Sequence, residues 1–239
     1  MTMKDKTVLV TGANRGIGQA LAAAALARGA RRVFAGTRQS LPYRDDRVIP
    51  LSLDITSAAQ IQAAAGQVDS LDMLINNAGI ALPDDLTDPA ALERHLAVNL
   101  FGTHAVTQAF LPAVTRARGA IVNILSVNAL APLPFIIPAY SVSKAAMFSL
   151  TQSLRARVAG HGVRVHAVLP GPVDTEMIRG FDIPKASPES VALAIFDAIE
   201  RGEEEIFPDP ASAPIAAQWR DSAAKLLERQ LSQVPPISS

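Results

Sequence analysis

The 239-residue chain is long enough for one domain with a substantial core, and 49% hydrophobic content with 5% aromatics suits a compact α/β protein. Lys plus Arg equals Asp plus Glu at 22 each, so no net field draws it toward nucleic acid or an anionic membrane surface, and its expected partners are small molecules. With no cysteine, disulfides, thiol nucleophiles and thiolate metal sites are excluded.

Residues 1–6 carry charge and lead at once into a first strand, with no separate apolar signal segment and no uninterrupted run long enough to span a bilayer. The expectation is a cytoplasmic protein without a membrane partner. Residues 7–10 form a short apolar, β-branched run that breaks into Thr11-Gly12-Ala13-Asn14-Arg15-Gly16-Ile17-Gly18 and then into an Ala/Leu-rich stretch at 19–28. This reads strand, glycine turn, helix. Glycines at 12, 16 and 18 let bare backbone approach a pyrophosphate, and the helix N-terminus directs amide groups and a positive dipole end at it. The Gly-x-x-x-Gly-x-Gly spacing differs from the commoner Gly-x-Gly-x-x-Gly, and no Gly-Lys-Ser/Thr follows, which argues against a triphosphate loop.

Further strand-like runs stand at 32–37, 48–52, 71–76, 120–126, 163–169 and 205–207, with helical stretches between them, the longest at 90–118 and 139–159. Such alternation predicts a Rossmann-type, doubly wound parallel sheet of about seven strands with helices on both faces. Ligands of such sheets bind outside the carboxyl ends of the strands. A last helix is predicted at 211–231, and no repeat or linker divides the chain, so one domain is expected over 1–239.

Within the 139–159 stretch, Tyr140-Ser141-Val142-Ser143-Lys144 places a phenol and an ammonium four residues apart on one helix face. A lysine beside a tyrosine favours the phenolate, so a group with an ordinary pKa of about 10 becomes usable as an acid or base near neutrality. At the other end, the position after the second strand that takes an acid in NAD-preferring folds is Thr37 here. Arg38 follows directly and Arg15 stands before the second glycine, so a ribose 2′-phosphate would meet cations. His95, His104, His161 and His166 show no tight ligand spacing, and no metal is expected.

With Asp54, Asn76-Asn77-Ala78-Gly79, Asn99, Ser126 and Pro170-Gly171 standing in order between these motifs, the chain resembles a classical short-chain dehydrogenase/reductase of the NADP-preferring type from about residue 6 to residue 175. The resemblance implies a catalytic tetrad of Asn99, Ser126, Tyr140 and Lys144. Tyr140 would exchange a proton with the reacting oxygen, Ser126 would hydrogen-bond it, Lys144 would bind the nicotinamide ribose and tune Tyr140, and Asn99 would position a water behind Lys144. The cofactor would lie on Gly12, Asn14, Arg15, Gly16, Ile17 and Gly18, with Thr37 and Arg38 at the 2′-phosphate and Asp54 and Ile55 at the adenine. Asn77, Ala78 and Gly79 would close beneath it, and Pro170, Gly171, Val173 and Thr175 would hold the carboxamide.

The resemblance has two departures. Fourteen positions separate Ser126 from Tyr140, about one more than the family pattern, and the loop at 130–138 absorbs the extra residue. Its apolar side chains, with Leu82, Met177, Ile178, Phe181 and Ile183, would line the substrate side, the last four in a substrate loop at 172–187. That favours a hydrophobic ketone, aldehyde or secondary alcohol. The tail lacks the family's glycine-rich terminus, so a homodimer through the 90–118 and 139–159 helices is expected before a tetramer. The expected activity is NADP(H)-dependent carbonyl reduction or alcohol oxidation. Two alternatives are a redox sensor that binds the nucleotide without turnover, against which a complete tetrad argues, and an epimerase or dehydratase, for which the residues beyond Thr175 are too few.

Overall fold

The computed structural model describes residues 1–39 and 43–232, so the end of the 1–239 domain expectation, at 233–239, lies outside the described residues. Seven parallel strands, β1 Thr7–Thr11, β2 Arg32–Thr37, β3 Val48–Ser52, β4 Met73–Asn76, β5 Ala120–Ile124, β6 Arg164–Val168 and β7 Glu205–Ile206, form one sheet in the order β3-β2-β1-β4-β5-β6-β7. The order reverses between β1 and β4, which opens a crevice at their carboxyl ends. Every expected run becomes a strand, some one or two residues shorter. β5 ends at Ile124 because Ser126 turns out of the ladder to cap a short helical turn, and Val127 N–H donates to Pro170 O at 3.0 Å.

Side chains alternate across the sheet with the period of two that a strand imposes. Val8 and Val10 join Leu21, Ala25, Val191, Ile195 and Phe196 on one face, under helices α1 (Gly16–Ala27) and, towards the C-terminus, the Pro188–Arg201 helix described below. Leu9 points the other way and joins Phe34, Leu51, Ile61, Leu74, Val106, Phe110 and Leu154. Small alanines on α1 let it lie close to the sheet, and the helix begins at Gly16, three residues earlier than expected, so the glycines themselves form its first turn.

On the second face lie α2 (Ala58–Ala65) and the long helical stretch expected at 90–118. That stretch is not uniform. It runs as α3 (Pro89–His95), a wider π-helical segment at Leu96–Gly102, and α4 (Thr103–Arg116). The π segment inserts a residue into the helical register beside Asn99, a feature common where a helix serves a site. Helix α5 (Pro138–Val158) carries the Tyr-Lys pair, and α6 (Pro188–Arg201) returns to the first face.

The single helix expected at 211–231 is two, α7 (Ala213–Arg220) and α8 (Ala223–Leu231). Ser222 adopts an extended backbone and its hydroxyl accepts from Lys225 N–H at 3.1 Å, starting a new helix where the apolar spacing alone runs on. Lys225 is 3% exposed and anchors α8: its ammonium lies 2.7 Å from Glu204, 2.9 Å from Glu205 and 3.0 Å from Glu228. Arg155 of α5 reaches the same Glu205 at 2.8 Å and Glu228 at 2.5 Å. Among the described residues no helix is long and apolar enough to cross a membrane.

Candidate active site

The glycine turn is shaped by what it cannot hold. Gly12 and Gly16 have φ of +66° and +53°, and a Cβ on Gly18 would stand 2.2 Å from Gly12 O. A Cβ on Gly16 would lie 3.0 Å from Thr175 Cγ2, so the turn directly faces the segment after β6. The end of β4 braces it from below: Asn77 Nδ2 donates to Thr11 O at 3.0 Å and Gly12 O at 3.2 Å, while Thr11 Oγ1 accepts from the N–H groups of Asn77 and Ala78, both at 3.0 Å. Asn76 points into the sheet instead, donating to Thr107 and Asn123 at 2.9 Å each. The result is a bare backbone cradle at the N-terminus of α1, with Asn14 and Arg15 exposed and Ile17 half-buried, that fits a dinucleotide pyrophosphate.

At the far end of the crevice Thr37 closes β2, its hydroxyl donating to Gln39 O at 2.6 Å, and Arg38 is exposed beside it. Asp54 accepts from Thr56 Oγ1 at 2.7 Å and Thr56 N–H at 2.9 Å. Those two bonds hold its carboxyl below the usual range against the effect of burial, with a smaller contribution from Arg38. No carboxylate stands directly after β2, where Arg38 follows Thr37. Arg15, also expected there, is paired in this structure with Glu176, which ties the glycine turn to the turn after Thr175. Ile55 is buried, so only its backbone is offered to the crevice.

The other half of the site converges from three elements. Tyr140 and Lys144 occupy the first turns of α5 and are both buried, with the ammonium 5.5 Å from the phenol ring centroid and donating to Ile124 O at 2.9 Å. Ser126 follows β5, is buried, and accepts from Asn128 N–H at 3.1 Å. Gly79 joins them, since a Cβ there would be 3.0 Å from Asn99 Oδ1 and 3.7 Å from Lys144 Nζ. Expected tetrad and glycine cradle thus share one crevice.

One expectation about these groups is corrected by the structure. The phenol is not brought toward neutrality: burial pushes Tyr140 up to about 12, with the Ser126 side chain opposing it. Burial likewise pushes Lys144 down to about 8, and among the described residues no carboxylate is paired with it. The Asn99 amide donates to Ile80 O and Ser143 Oγ, both at 2.9 Å, and its oxygen accepts from Ile80 N–H at 2.9 Å, so Asn99 ties the chain after Gly79 to α5.

In the segment after β6, Gly171 N–H donates to Asp209 at 2.8 Å, and a Cβ on Gly171 would stand 2.9 Å from Asp209 Oδ1. Val173 pairs with Ala186 and buries its side chain in the core, leaving Thr175 against the cradle. Leu82, Leu133, Phe135, Met177, Phe181 and Ile183 are exposed apolar side chains on the segments flanking this crevice, Phe135 at 94%. Sequence reasoning misses His95, which packs edge-on to Tyr140, as well as Asp209, Glu176 and Ser143. Among the described residues no group of three or more His, Asp or Glu stands together to hold a metal.

A glycine cradle beside a buried Ser-Tyr-Lys group at the switch point of a parallel sheet belongs to a dinucleotide-type α/β fold. The short chain dehydrogenase family profile matches residues 6–184. A short chain dehydrogenase from Burkholderia cenocepacia, crystallised with NADP, is 38% identical and superposes with a TM-score of 0.86 over 98% of this chain and 100% of its own. The dehydrogenase/reductase SDR family protein 7-like of Anopheles gambiae is 33% identical over 91% of this chain and 78% of its own length. The 2-(S)-hydroxypropyl-CoM dehydrogenase 3 of Xanthobacter autotrophicus is 37% identical over 72% of each. The chain belongs to the short-chain dehydrogenase family, and is an oxidoreductase acting on CH–OH or C=O groups.

Proposed function

We propose that the chain is an NADP(H)-dependent carbonyl reductase, running as an alcohol dehydrogenase in reverse, on hydrophobic ketones, aldehydes or secondary alcohols. The observation that carries this reading is the buried Tyr140–Lys144 pair, with Ser126 beside it, facing the glycine cradle. The cofactor assignment is supported by Arg38 and Thr37 where NAD-preferring folds carry an acid, and by the NADP bound to the Burkholderia relative.

When bound, NADPH supplies the hydride. Tyr140, neutral up to about 12, holds the proton that the developing alkoxide requires, and the Ser126 hydroxyl donates to the same oxygen. As the phenol gives up its proton, the Lys144 ammonium 5.5 Å from the ring stabilises the phenolate in a dry site. Asn99 keeps the Gly79–Ile80 backbone, and with it the floor of the site, in place. The apolar side chains of Leu82, Leu133, Phe135, Met177 and Phe181 support a hydrophobic substrate, with 172–187 as its loop. Exposed Phe101 and Val142, on the π segment and α5, support a homodimer through those helices, and a cytoplasmic setting completes the proposal.

The test is consumption of NADPH and NADH with a panel of apolar ketones and aldehydes, Tyr140→Phe run beside the wild type. Turnover with NADPH that is lost in Y140F is expected. Nucleotide binding with no turnover across the panel would favour a non-catalytic sensor, and preference for NADH would overturn the roles given to Arg15 and Arg38.

A further inference from the structure

His95 is fully buried at the end of α3, four residues before Asn99 and therefore on the same helical face. Its Nδ1 lies 2.7 Å from Ala91 O and its Nε2 accepts from Leu82 N–H at 3.0 Å, an arrangement that requires the neutral, Nδ1-protonated ring. Asn99 holds Ile80 by both its backbone groups. Two residues beyond Leu82, Asp84 accepts from Ala139 N–H at 3.1 Å, in the first turn of α5 and next to Tyr140. The segment after Gly79 is thus fixed at alternate residues, 80, 82 and 84, and its central tie is His95.

The same imidazole packs against the proposed proton donor. Its ring meets that of Tyr140 edge-on, with centroids 6.4 Å apart and planes at 73°. One side chain therefore touches both the phenol and the backbone that carries Leu82, an exposed apolar residue of the cleft rim. We infer that His95 is a positioning residue with two separable roles: its Nε2 fixes the Leu82 wall against which substrate binds, and its ring edge fixes the aim of the Tyr140 hydroxyl. The inference rests on the carbonyl-reductase reading. With the ties at Ile80 and Asp84 intact, losing the middle one shifts the wall without unfolding the segment.

Two substitutions separate the roles. His95→Phe keeps an aromatic edge but leaves the Leu82 N–H without its acceptor, so KM for an apolar ketone is expected to rise roughly tenfold with kcat within about twofold. His95→Gln keeps an acceptor at the Nε2 position but removes the ring, so kcat is expected to fall roughly fivefold with KM held to about twofold. KM for NADPH stays unchanged in both. Changes in the same parameter in both variants, or a shared loss of NADPH affinity, would overturn the inference. If H95F does not fold, H95N replaces it: its short amide cannot reach Leu82, and it must show the KM rise that H95Q lacks. If the wild type turns over nothing, the carbonyl-reductase reading fails on its own account. The Leu82 tie is then read by amide hydrogen exchange, protected in H95Q and exposed in H95N if the inference holds and alike in both if it does not.

Discussion

Two lysines of this fold are buried, and they are buried in opposite ways. Lys225 sits among Glu204, Glu205 and Glu228. Burial works against its charge, but hydrogen bonds to Glu204 and Glu205 outweigh it and hold the ammonium above its ordinary range. Lys144 has a carbonyl and the face of a phenol for company, and burial alone brings it down to about 8. One site spends three carboxylates to make a cation permanent and uses it to attach a helix. The other has no such carboxylates among the described residues, at a stability cost of roughly 3 kcal/mol for the charged form, and leaves the ammonium 5.5 Å from the Tyr140 ring.

The sharpest way to break the comparison is to remove each charge in turn. Lys144→Met is expected to lower turnover about 10³-fold, as is Tyr140→Phe, with NADPH binding retained well enough to measure by fluorescence. Lys225→Met should leave turnover per folded molecule unchanged while destabilising the protein by about 3–5 kcal/mol in urea titration, because three carboxylates lose the buried cation they share. An inactive but stable K225M would undo the distinction.

The pH dependence separates the two sites further. Carbonyl reduction, followed as kcat/KM, is expected to hold level through neutrality and to fall as pH rises through about 8, where Lys144 loses its charge while Tyr140 still keeps its proton. A level profile to pH 10 would detach Lys144 from the chemistry. For stability the sign is reversed. The folded pKa lies below the unfolded one, so the unfolded chain binds the extra proton, the penalty is full below about 8, and it is relieved as pH rises toward 10.5. Lys144→Met should therefore stabilise the empty protein at pH 7, by about 2 kcal/mol after loss of the Ile124 hydrogen bond, and by progressively less above pH 8.

The same contrast explains what can be read in the sequence. Gly18 is legible because no other residue fits 2.2 Å from a carbonyl oxygen, and the Tyr140–Lys144 spacing because the proposed chemistry calls for those two groups on one helix face. The strands follow from alternating burial that the residues themselves carry, as Val8, Leu9 and Val10 do. His95 and Asp209 are not legible in this way. Each serves a backbone N–H far along the chain, at Leu82 and Gly171, and a backbone amide leaves no residue-type signature on its partner. The π segment at Leu96–Gly102 and the break before Ala223 are hidden for a related reason, since apolar spacing continues through both and only local hydrogen bonding departs. The upward shift of Tyr140 depends on burial from other elements, which the four-residue spacing does not contain.

Asp209 carries a practical consequence. Its carboxylate accepts from Gly171, Ala211 and Ser212 and from the Ser212 hydroxyl, so the tail is stitched to the loop that faces the glycine cradle. The C-terminal region is thus a keystone and not an appendage. A cut upstream of Asp209 would slacken the loop after β6 although it removes none of the proposed tetrad. Variation and fusion partners are best tolerated on the outer side of that stitch, where a change in the tail no longer pulls on the reaction chamber.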